Sequence, residues 1–373
     1  MPVLDRKELE ESPLSDLHAI ASELGIEGYR RLRREELIDT LAGGAKAPAK
    51  DSDDDDDEPK PRRRRARRTR PAKAEEKKDE PAEEPKEEEE EADDTEVRQG
   101  VLDILPNGSG FMRPDPFAHS RDDVYVSPAQ IRRCELRAGD AIEGPVRSPR
   151  RNERHPSLVR VDKVNGGEAE GPGERPRFED LTPVFASQAL TTPDGLDDTP
   201  FGRGSRVAVG GPPGSGITTL LRRIVLGLKA AHEDLDVVVV LAGVRPEEVT
   251  EWKRDSAVTV AGGGFDRPVD EQAQAAESAV ERGKRAAEAG GHAVVVIDSL
   301  DALPPAAARR VFGAARATEE AGTLTIIAST GTAGEPLRQA TTRIVLDIPE
   351  DGPGPHPPRL APTSGTLRAN LLK

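Results

Sequence analysis

The stretch GGPPGSGITTL, from Gly210 to Leu220, contains most of a phosphate-binding loop. The loop pattern is G-x-x-x-x-G-K-[ST], in which backbone N–H groups and the start of a helix surround nucleotide phosphates. The lysine neutralises phosphate charge, and the Ser or Thr hydroxyl holds Mg²⁺. Here Thr218 and Thr219 supply hydroxyls, but Ile217 stands at the lysine position. The sequence therefore predicts a phosphate loop that lacks its cation.

The missing cation is expected to impair phosphoryl transfer more than binding. A unit charge about 4 Å from a phosphate contributes up to roughly 4 kcal/mol at an effective dielectric of 20, before water and Mg²⁺ reduce it. Arg222 and Arg223 follow one helical turn later, where their side chains should point away from the loop. We therefore expect no replacement for the lysine within this segment.

A second candidate is the aspartate that ends the apolar run HAVVVIDSL. Asp298 follows the phosphate loop in the chain, as does the acidic residue that orients Mg²⁺ in P-loop enzymes. An aspartate at a strand end also has structural uses, but the order of the motifs favours the metal role. The predicted magnesium residues are Thr218 and Asp298.

Two aromatic residues, Phe111 and Tyr125, lie in a stretch of short strands, close to the charged residues Arg113 and Asp123. Single-stranded RNA is read by stacking bases on aromatic rings while polar and basic groups hold the rest of the nucleotide. Only 3% of the chain is aromatic, so this placement indicates an RNA surface. On pattern alone, burial of both rings in a barrel core explains it equally well.

The elements that position these residues change character along the chain. Residues 97–166 contain short β-like runs such as VLDIL, GFMRP and DVYVS, which predict a small barrel. Residues 175–373 alternate apolar strands, such as RVAVGG, DVVVVLAG and TLTIIAST, with helix-like stretches. This alternation predicts an α/β fold with a largely parallel, doubly wound sheet.

The N-terminal part has two further regions. Residues 1–43 carry apolar residues at helical spacing, which predicts a small helical module whose basic face at Arg30–Arg34 either assists nucleic-acid contact or is simply solvated. Residues 44–96 contain two acidic blocks around an arginine block, and we expect this segment to be disordered. It reads either as a solvated linker or as an arginine arm, and the flanking acids favour a linker with some nonspecific nucleic-acid contact.

Composition limits the class of protein. The 373 residues carry a formal net charge of -15, but the acid is concentrated in one stretch, so the sign does not argue against nucleic acid. The single cysteine, Cys134, excludes an internal disulfide. The charged start MPVLDRKELE and the lack of an apolar run of about 18 residues predict a soluble cytoplasmic protein without a membrane partner.

The strings GVLDILPNGSGFMRP, DDVYVSPAQIRR, LRAGDAIEG and RVDKVNG resemble the OB/cold-shock-type RNA-binding barrel of the Rho family of bacterial transcription termination factors. The helical stretch before them is similar to that family's N-terminal domain. Ser109 stands where the family usually has its first aromatic, and His155 where it has a late tyrosine. Each lost stacking platform costs about 1–3 kcal/mol per base, so RNA binding is expected to be retained but weaker. The resemblance assigns RNA binding to Gly108, Ser109, Gly110, Phe111, Met112, Arg113, Asp123, Val124, Tyr125, Glu153, Arg154 and His155.

The resemblance continues through FGRGSRVAVGGPPGSGITTLL, RPEEVTEW, VVVIDSL and FGAARATEEAGTLTIIAST, and it implies a RecA-like P-loop NTPase core that binds ATP and Mg²⁺. It further implies an RNA-dependent ATP hydrolase and helicase that forms a homo-hexameric ring, with single-stranded RNA, RNA polymerase and a full-length Rho as partners. Asp298 would be catalytic, and Arg359 would be an arginine finger given to the next subunit. The implied nucleotide-binding residues are Gly202, Arg203, Gly204, Ser205, Arg206, Val207, Gly214, Ser215, Gly216, Ile217, Thr218, Thr219 and Arg245.

The differences from the family are concentrated in the parts of the core that would hydrolyse ATP and move RNA, called the motor below. Val244 replaces the glutamate that activates water, and Ala302 lies near the place of an arginine. Both loops that grip RNA in the ring's channel are shortened, to LDALPPAA and TAGEPLRQATTR. Together with Ile217, four working parts are altered: the phosphate lysine, the water-activating glutamate and both channel loops. These changes predict hydrolysis and translocation that are weak or lost.

Three hypotheses remain open at this point. The favoured one is a Rho-like RNA-binding protein with a degenerate motor. The alternative is a fully working RNA-dependent ATPase that terminates transcription. An unrelated P-loop enzyme is disfavoured, because the sequence has no His, Cys or carboxylate cluster suited to another reaction.

Overall fold

The computed structural model describes residues 96–169, 175–254, 258–331, 334–348 and 359–373, together with Leu17, Ile20, Ala21, Ile38 and Leu41. These five isolated residues are helical, and four of them are buried, as expected for a helical module at the N-terminus. The segment 44–96, predicted to be disordered, lies outside the described residues except for Glu96, which begins the first strand.

The first folded part is a small barrel. Its long strand β1 (Glu96–Ile104) pairs antiparallel with both β2 (Gly110–Arg113) and β4 (Ala141–Arg147), and so closes the sheet on itself. Inward-facing residues such as Leu102, Met112 and Val124 fill the interior. The other elements are β3 (Val124–Val126), α1 (Pro128–Arg133), β5 (Ser157–Leu158), β6 (Lys163–Val164) and β7 (Gly167–Glu168).

Helix α1 shows how a short sequence sets local structure. The Ser127 hydroxyl accepts a hydrogen bond from the Gln130 backbone, and the Gln130 side chain accepts one from the Ser127 N–H. This reciprocal cap, with Pro128 in the first turn, starts the helix of the VSPAQIRR motif. The Gln130 amide also donates to the Leu158 carbonyl at 2.9 Å, which ties α1 to β5.

The second part is a mixed sheet with a parallel centre and helices on both faces. The central strands run parallel in the order β11-β10-β12-β14-β9-β15, with β16 antiparallel at one edge. Strand β13 pairs antiparallel with β14, and β8 pairs antiparallel with β13. The strands are β8 (Pro183–Val184), β9 (Arg206–Gly210), β10 (Leu235–Val244), β11 (Thr259–Gly264), β12 (His292–Asp298), β13 (Arg316–Thr318), β14 (Thr323–Thr330), β15 (Thr342–Val345) and β16 (Gly365–Thr366).

Alternate residues of the central strands fill two separate hydrophobic clusters. Val295 and Ile297 belong to one cluster, whereas Val294 and Val296 belong to the other, because successive side chains point to opposite faces. Both faces are therefore buried, as is usual for parallel sheets. The helices are α2 (Ile217–Ala231), α3 (Pro246–Arg254), α4 (Val269–Glu288), α5 (Pro305–Gly313) and α6 (Glu335–Gln339), with 3-10 turns at Phe178–Asp180, Leu300–Ala302 and Ala369–Leu371.

This architecture confirms the fold class that the sequence predicts: a RecA-like α/β core preceded by an OB-type barrel. Because the central strands are parallel, their carboxyl ends meet along one edge, where Gly210, Val244 and Asp298 lie. The chain between β12 and α5 is only six residues long, Ser299–Pro304, so the first shortened loop is a compact 3-10 turn. In the described residues no helix is long and apolar enough to cross a membrane.

Candidate functional site

The phosphate loop has the strand–loop–helix arrangement expected of it. Strand β9 ends at Gly210, and α2 begins at Ile217. Gly214 and Gly216 both have φ of 88°, in the left-handed region that side chains other than glycine rarely adopt. A Cβ on Gly211 would lie 2.5 Å from the Ser215 hydroxyl, so this position also excludes larger residues. The glycines of the motif are thus required by the loop conformation itself.

Ile217, at the position of the missing lysine, makes apolar contacts. Ile217 is half-buried and packs against the hydrophobic cluster that contains Val244, the residue at the place of the family's glutamate. Val244 is 7% exposed at the end of β10, and Leu360 packs against the same cluster. Ile217 and Val244 therefore both adjoin the same hydrophobic cluster, and neither residue places a charge at the loop.

The aspartate and threonine predicted to hold magnesium are brought together. Thr218 Oγ1 donates to Asp298 Oδ2 at 3.0 Å, and Ser329 Oγ donates to Asp298 Oδ1 at 2.7 Å. Asp298 is 6% exposed. Oxygen donors of this kind fit Mg²⁺, which would neutralise phosphate charge when bound with a nucleotide. Ser329 was not predicted; it is the penultimate residue of β14, which pairs with β9, the strand before the loop.

The structure does not bring Gly202–Arg206 to the phosphate loop. Arg206 begins β9 and lies four residues from Gly210, about 13 Å at the usual rise per residue, and residues 202–205 precede the strand. Arg203 pairs with Asp234, and the Gly204 N–H donates to Thr325. A Cβ on Gly202 or Gly204 would lie under 2.5 Å from backbone atoms of neighbouring segments. The two glycines permit close packing, and Val207 is part of the buried core; a nucleotide-binding role for this segment stays a prediction.

The remaining predicted residues lie near the edge where the parallel strands end. Arg245 follows β10, is exposed, and pairs with Glu248 at 3.2 Å. Thr219 lies in the first turn of α2 and is exposed. The carbonyl of Arg359 accepts from the Asp347 N–H, next to β15. The role of Arg359 as a finger for the next subunit remains a prediction, since it concerns a second copy of the chain.

The aromatic residues of the barrel form one cluster. Phe111 and Tyr125 are direct cross-strand partners on β2 and β3, with ring centroids 6.0 Å apart in an edge-to-face arrangement. His155 also packs edge-to-face against Phe111, with centroids 5.1 Å apart, and the neighbouring Pro156 carbonyl accepts a hydrogen bond from the Tyr125 N–H. Tyr125 is 37% exposed, so this cluster is a surface rather than the barrel core.

Charged residues border the aromatic cluster. Glu153 binds the Arg147 guanidinium through two hydrogen bonds, at 2.7 and 2.8 Å, and accepts the Arg150 N–H at 3.1 Å. These contacts, the Arg147 hydrogen bond first among them, lower the pKa of Glu153 to about 2. Glu153 therefore orders an arginine-rich loop beside His155, and Arg154 of the same loop is exposed.

Several predicted RNA residues face inward. Met112 and Val124 are completely buried in the barrel core, because they alternate with Phe111 and Tyr125 along their strands. Ser109 is also buried, and its hydroxyl donates to Asn107 within the turn. Gly108 is exposed at φ of 82°, and a Cβ on Gly110 would lie 2.7 Å from the Asp103 carbonyl. These residues shape the turn and the strands that carry the aromatic rings.

Arg113 and Asp123 lie together at the end of the aromatic face. Both are 3% exposed, and Arg113 Nη1 lies 4.0 Å from Asp123 Oδ2. Arg113 also binds Asp103 and His119, and these in turn bind Gln274 of helix α4. Sequence reasoning missed these last three residues, because nothing local links residues 103 and 119 to residue 274.

Two family models match the chain. The Rho termination factor N-terminal domain matches residues 8–42, and the Rho termination factor RNA-binding domain matches residues 98–170. The second match covers all of the barrel except the first two residues of β1, and it includes the aromatic cluster and the Arg113–Asp123 pair.

Full-length relatives extend the match into the core. The transcription termination factor Rho of Chromobacterium violaceum is 37% identical over 267 residues, covering 62% of this chain and 64% of the relative. The protein of the same name from Escherichia coli K12 is 36% identical over 266 residues, with the same coverage. That from Mycobacterium leprae is 38% identical over 277 residues, covering 63% of this chain and 45% of the relative.

This chain thus spans less than two thirds of the length of each of these relatives. A solved ATPase from the type III secretion system of pathogenic bacteria aligns with 58% of this chain and 74% of its own, at 16% identity and a TM-score of 0.43, which is too distant to inform the argument. The domain matches and the identities agree with the geometry of the barrel and the phosphate loop. The chain is therefore a homologue of the transcription termination factor Rho.

Proposed function

We propose that this Rho homologue binds single-stranded RNA through its barrel and acts in transcription termination as a regulator whose ATP hydrolysis and translocation are weak or lost. The observation that supports RNA binding is the exposed cluster of Tyr125, Phe111 and His155, bordered by the arginine-rich loop at Arg147–Arg154. Rings of this kind stack bases, and arginines hold phosphates.

The loss of the motor is supported by the apolar packing at the phosphate loop. Ile217 and Val244 share one hydrophobic cluster, where a working enzyme needs a cation for phosphate charge and a carboxylate for the attacking water. Neither group is supplied by these two positions. The loop conformation is kept, so we propose that nucleotide binding persists without efficient hydrolysis.

A working ATPase is the second candidate, and one observation favours it. Thr218, Ser329 and Asp298 form a hydroxyl–carboxylate group suited to Mg²⁺. The proposal also includes a hexameric ring, a cytoplasmic location, and contacts with RNA polymerase or a full-length Rho. These parts of the proposal are supported only by the family relationship.

The test combines two measurements on the full chain. ATP hydrolysis is measured with and without single-stranded cytidine-rich RNA, and RNA affinity is measured by fluorescence anisotropy. We expect background hydrolysis, RNA binding in the parent, and binding weakened by about 1–3 kcal/mol in Phe111→Ala. Phe265→Ala, which removes an exposed ring outside the barrel, is the matched control and should bind RNA like the parent.

The outcomes separate the candidates. RNA-stimulated hydrolysis that is abolished by Asp298→Ala would establish the working enzyme instead. RNA affinity that is unchanged in both Phe111→Ala and Tyr125→Ala would refute the proposed RNA site.

A further inference from the structure

A closed ring of four hydrogen bonds joins the barrel to helix α4 of the core. Arg113 Nη1 lies 2.8 Å from His119 Nδ1, and Arg113 Nη2 lies 2.6 Å from Asp103 Oδ2. Gln274 Nε2 lies 2.8 Å from the same carboxylate oxygen, and Gln274 Oε1 lies 3.0 Å from His119 Nε2. Three members belong to the barrel, and Gln274 alone comes from the core.

The chemistry of the groups sets the direction of each bond. A guanidinium only donates, so His119 Nδ1 accepts from Arg113 and His119 Nε2–H donates to the Gln274 carbonyl oxygen. The Gln274 amide then donates to Asp103, which is acceptor-only when ionised. An amide is needed at position 274, because it must accept from one neighbour and donate to the other.

The four hydrogen bonds fix the orientation of Arg113, one of the residues proposed to bind RNA. Phe111 and Arg113 are two residues apart on β2 and therefore lie on the same face of the barrel. Asp123, two residues before Tyr125, continues that face on the neighbouring chain segment. Because the guanidinium is planar, fixing its two Nη atoms also fixes the direction of its Nε–H.

Two atoms at this end of the face have no partner. Arg113 Nε and Asp123 Oδ1 are both buried, and neither makes a hydrogen bond to any residue in the described part of the chain. Buried polar groups are paired in most proteins, so an orphaned donor and an orphaned acceptor on two side chains that approach to 4.0 Å indicate groups that a ligand satisfies. A nucleobase edge, which carries neighbouring donors and acceptors, fits this requirement.

We propose that Gln274, a residue of the core, is a positioning residue of the barrel's RNA site. Through its hydrogen bonds to His119 and Asp103, Gln274 holds the Arg113 side chain in place next to Asp123. The inference rests on the RNA binding proposed above. It makes the RNA surface a product of both folded parts rather than of the barrel alone.

The test measures RNA affinity of the full chain with a labelled single-stranded oligocytidine at several salt concentrations. Gln274→Ala should weaken binding about 3-fold to 10-fold, the effect of one or two lost hydrogen bonds. Gln274→Glu keeps the volume of the side chain but sets a carboxylate against Asp103, so it should weaken binding at least as much. The salt dependence should stay unchanged, because no phosphate contact is removed. Gln99→Ala, at an exposed glutamine of β1, is the matched control.

A double-mutant cycle provides the decisive comparison. His119→Ala breaks the same ring from the exposed barrel side, so the double variant with Gln274→Ala should lose no more affinity than either single variant. Additive losses, or Gln274 variants that bind like Gln99→Ala, would overturn the inference. If Phe111→Ala weakens binding and the Gln274 variants do not, only this inference fails. If the parent chain binds no RNA, the proposed RNA binding is refuted, and with it this inference, which rests on it.

Discussion

Thr218 donates a hydrogen bond to Asp298 at 3.0 Å, and this contact joins the first turn of α2 to the end of β12. Ser329 donates to the second oxygen of the same carboxylate. One aspartate thus ties together the phosphate loop and two parallel strands at the edge of the core. This arrangement remains in place although the neighbouring lysine and glutamate positions have become apolar.

The first prediction concerns the stability that this aspartate provides. Asp298→Ala should lower the free energy of unfolding by about 1–3 kcal/mol, because the Thr218 and Ser329 hydroxyls lose their acceptor in a buried site. Urea unfolding monitored by circular dichroism measures this change. Asp197→Ala, at an exposed aspartate of the core, should change the free energy by less than about 0.5 kcal/mol. Equal stability of the two variants would contradict the structural role of Asp298.

The second prediction concerns the lost cation. Ile217→Lys should increase nucleotide affinity, about 10-fold or more, because an ammonium group returns to the start of α2 beside the phosphates. Hydrolysis should stay at background, because Val244 still provides no carboxylate. Isothermal titration with ATP and Mg²⁺ measures the affinity. Leu226→Lys adds the same charge at an exposed apolar position of α2 and should have little effect. A similar gain in both variants would show that only overall charge matters.

The third prediction concerns the histidine of the aromatic cluster. His155→Tyr should strengthen RNA binding by about 1 kcal/mol, because a larger ring beside Phe111 gives a base more stacking surface. His155→Ala should weaken binding by removing the ring altogether. Fluorescence anisotropy with a short single-stranded RNA ranks the three proteins. The prediction is wrong if the tyrosine variant binds no better than the parent.

The fourth prediction concerns pH. Burial, followed by the positive charge of Arg203, lowers the pKa of His292 below its ordinary value of 6.5, although Asp234 opposes this. The unfolded chain then binds the proton more readily than the folded one. Stability should be complete above about pH 6.5 and fall as the pH drops towards the lowered pKa. Unfolding between pH 7.5 and 5.5 tests this, with His292→Gln expected to show a smaller decrease over about that range. Identical slopes would exclude His292 as the cause.

Much of the fold follows from local patterns in the chain. The runs RVAVGG, DVVVVLAG and HAVVVIDS lie in β9, β10 and β12, because apolar β-branched residues favour strands buried on both faces. The phosphate loop was also predicted from its motif, and its glycines at 214 and 216 permit the left-handed backbone that the structure has there. Local conformational preference acts over a few residues, so these features can be predicted from the sequence.

The sites were less predictable, because they combine distant residues. Gly202–Arg206 resemble a nucleotide-binding segment in sequence, yet the direction of β9 places them at the opposite end from the loop. Ser329 and Gln274 carry no motif, and their roles depend on partners 31 and 171 residues away. Sequence spacing does not report such contacts, because they form only when strands and helices pack.

By itself, the sequence determined the order of strands and helices, the conformation of the phosphate loop, and the loss of a lysine and a glutamate from their usual positions. The tertiary structure alone decided that Ile217 and Val244 adjoin one apolar cluster, that Thr218 meets Asp298, and that Gln274 contacts Asp103 and His119 of the barrel. The physical reason is that backbone preferences and apolar periodicity are local, whereas the packing of a parallel sheet brings together strand ends that are far apart in the chain.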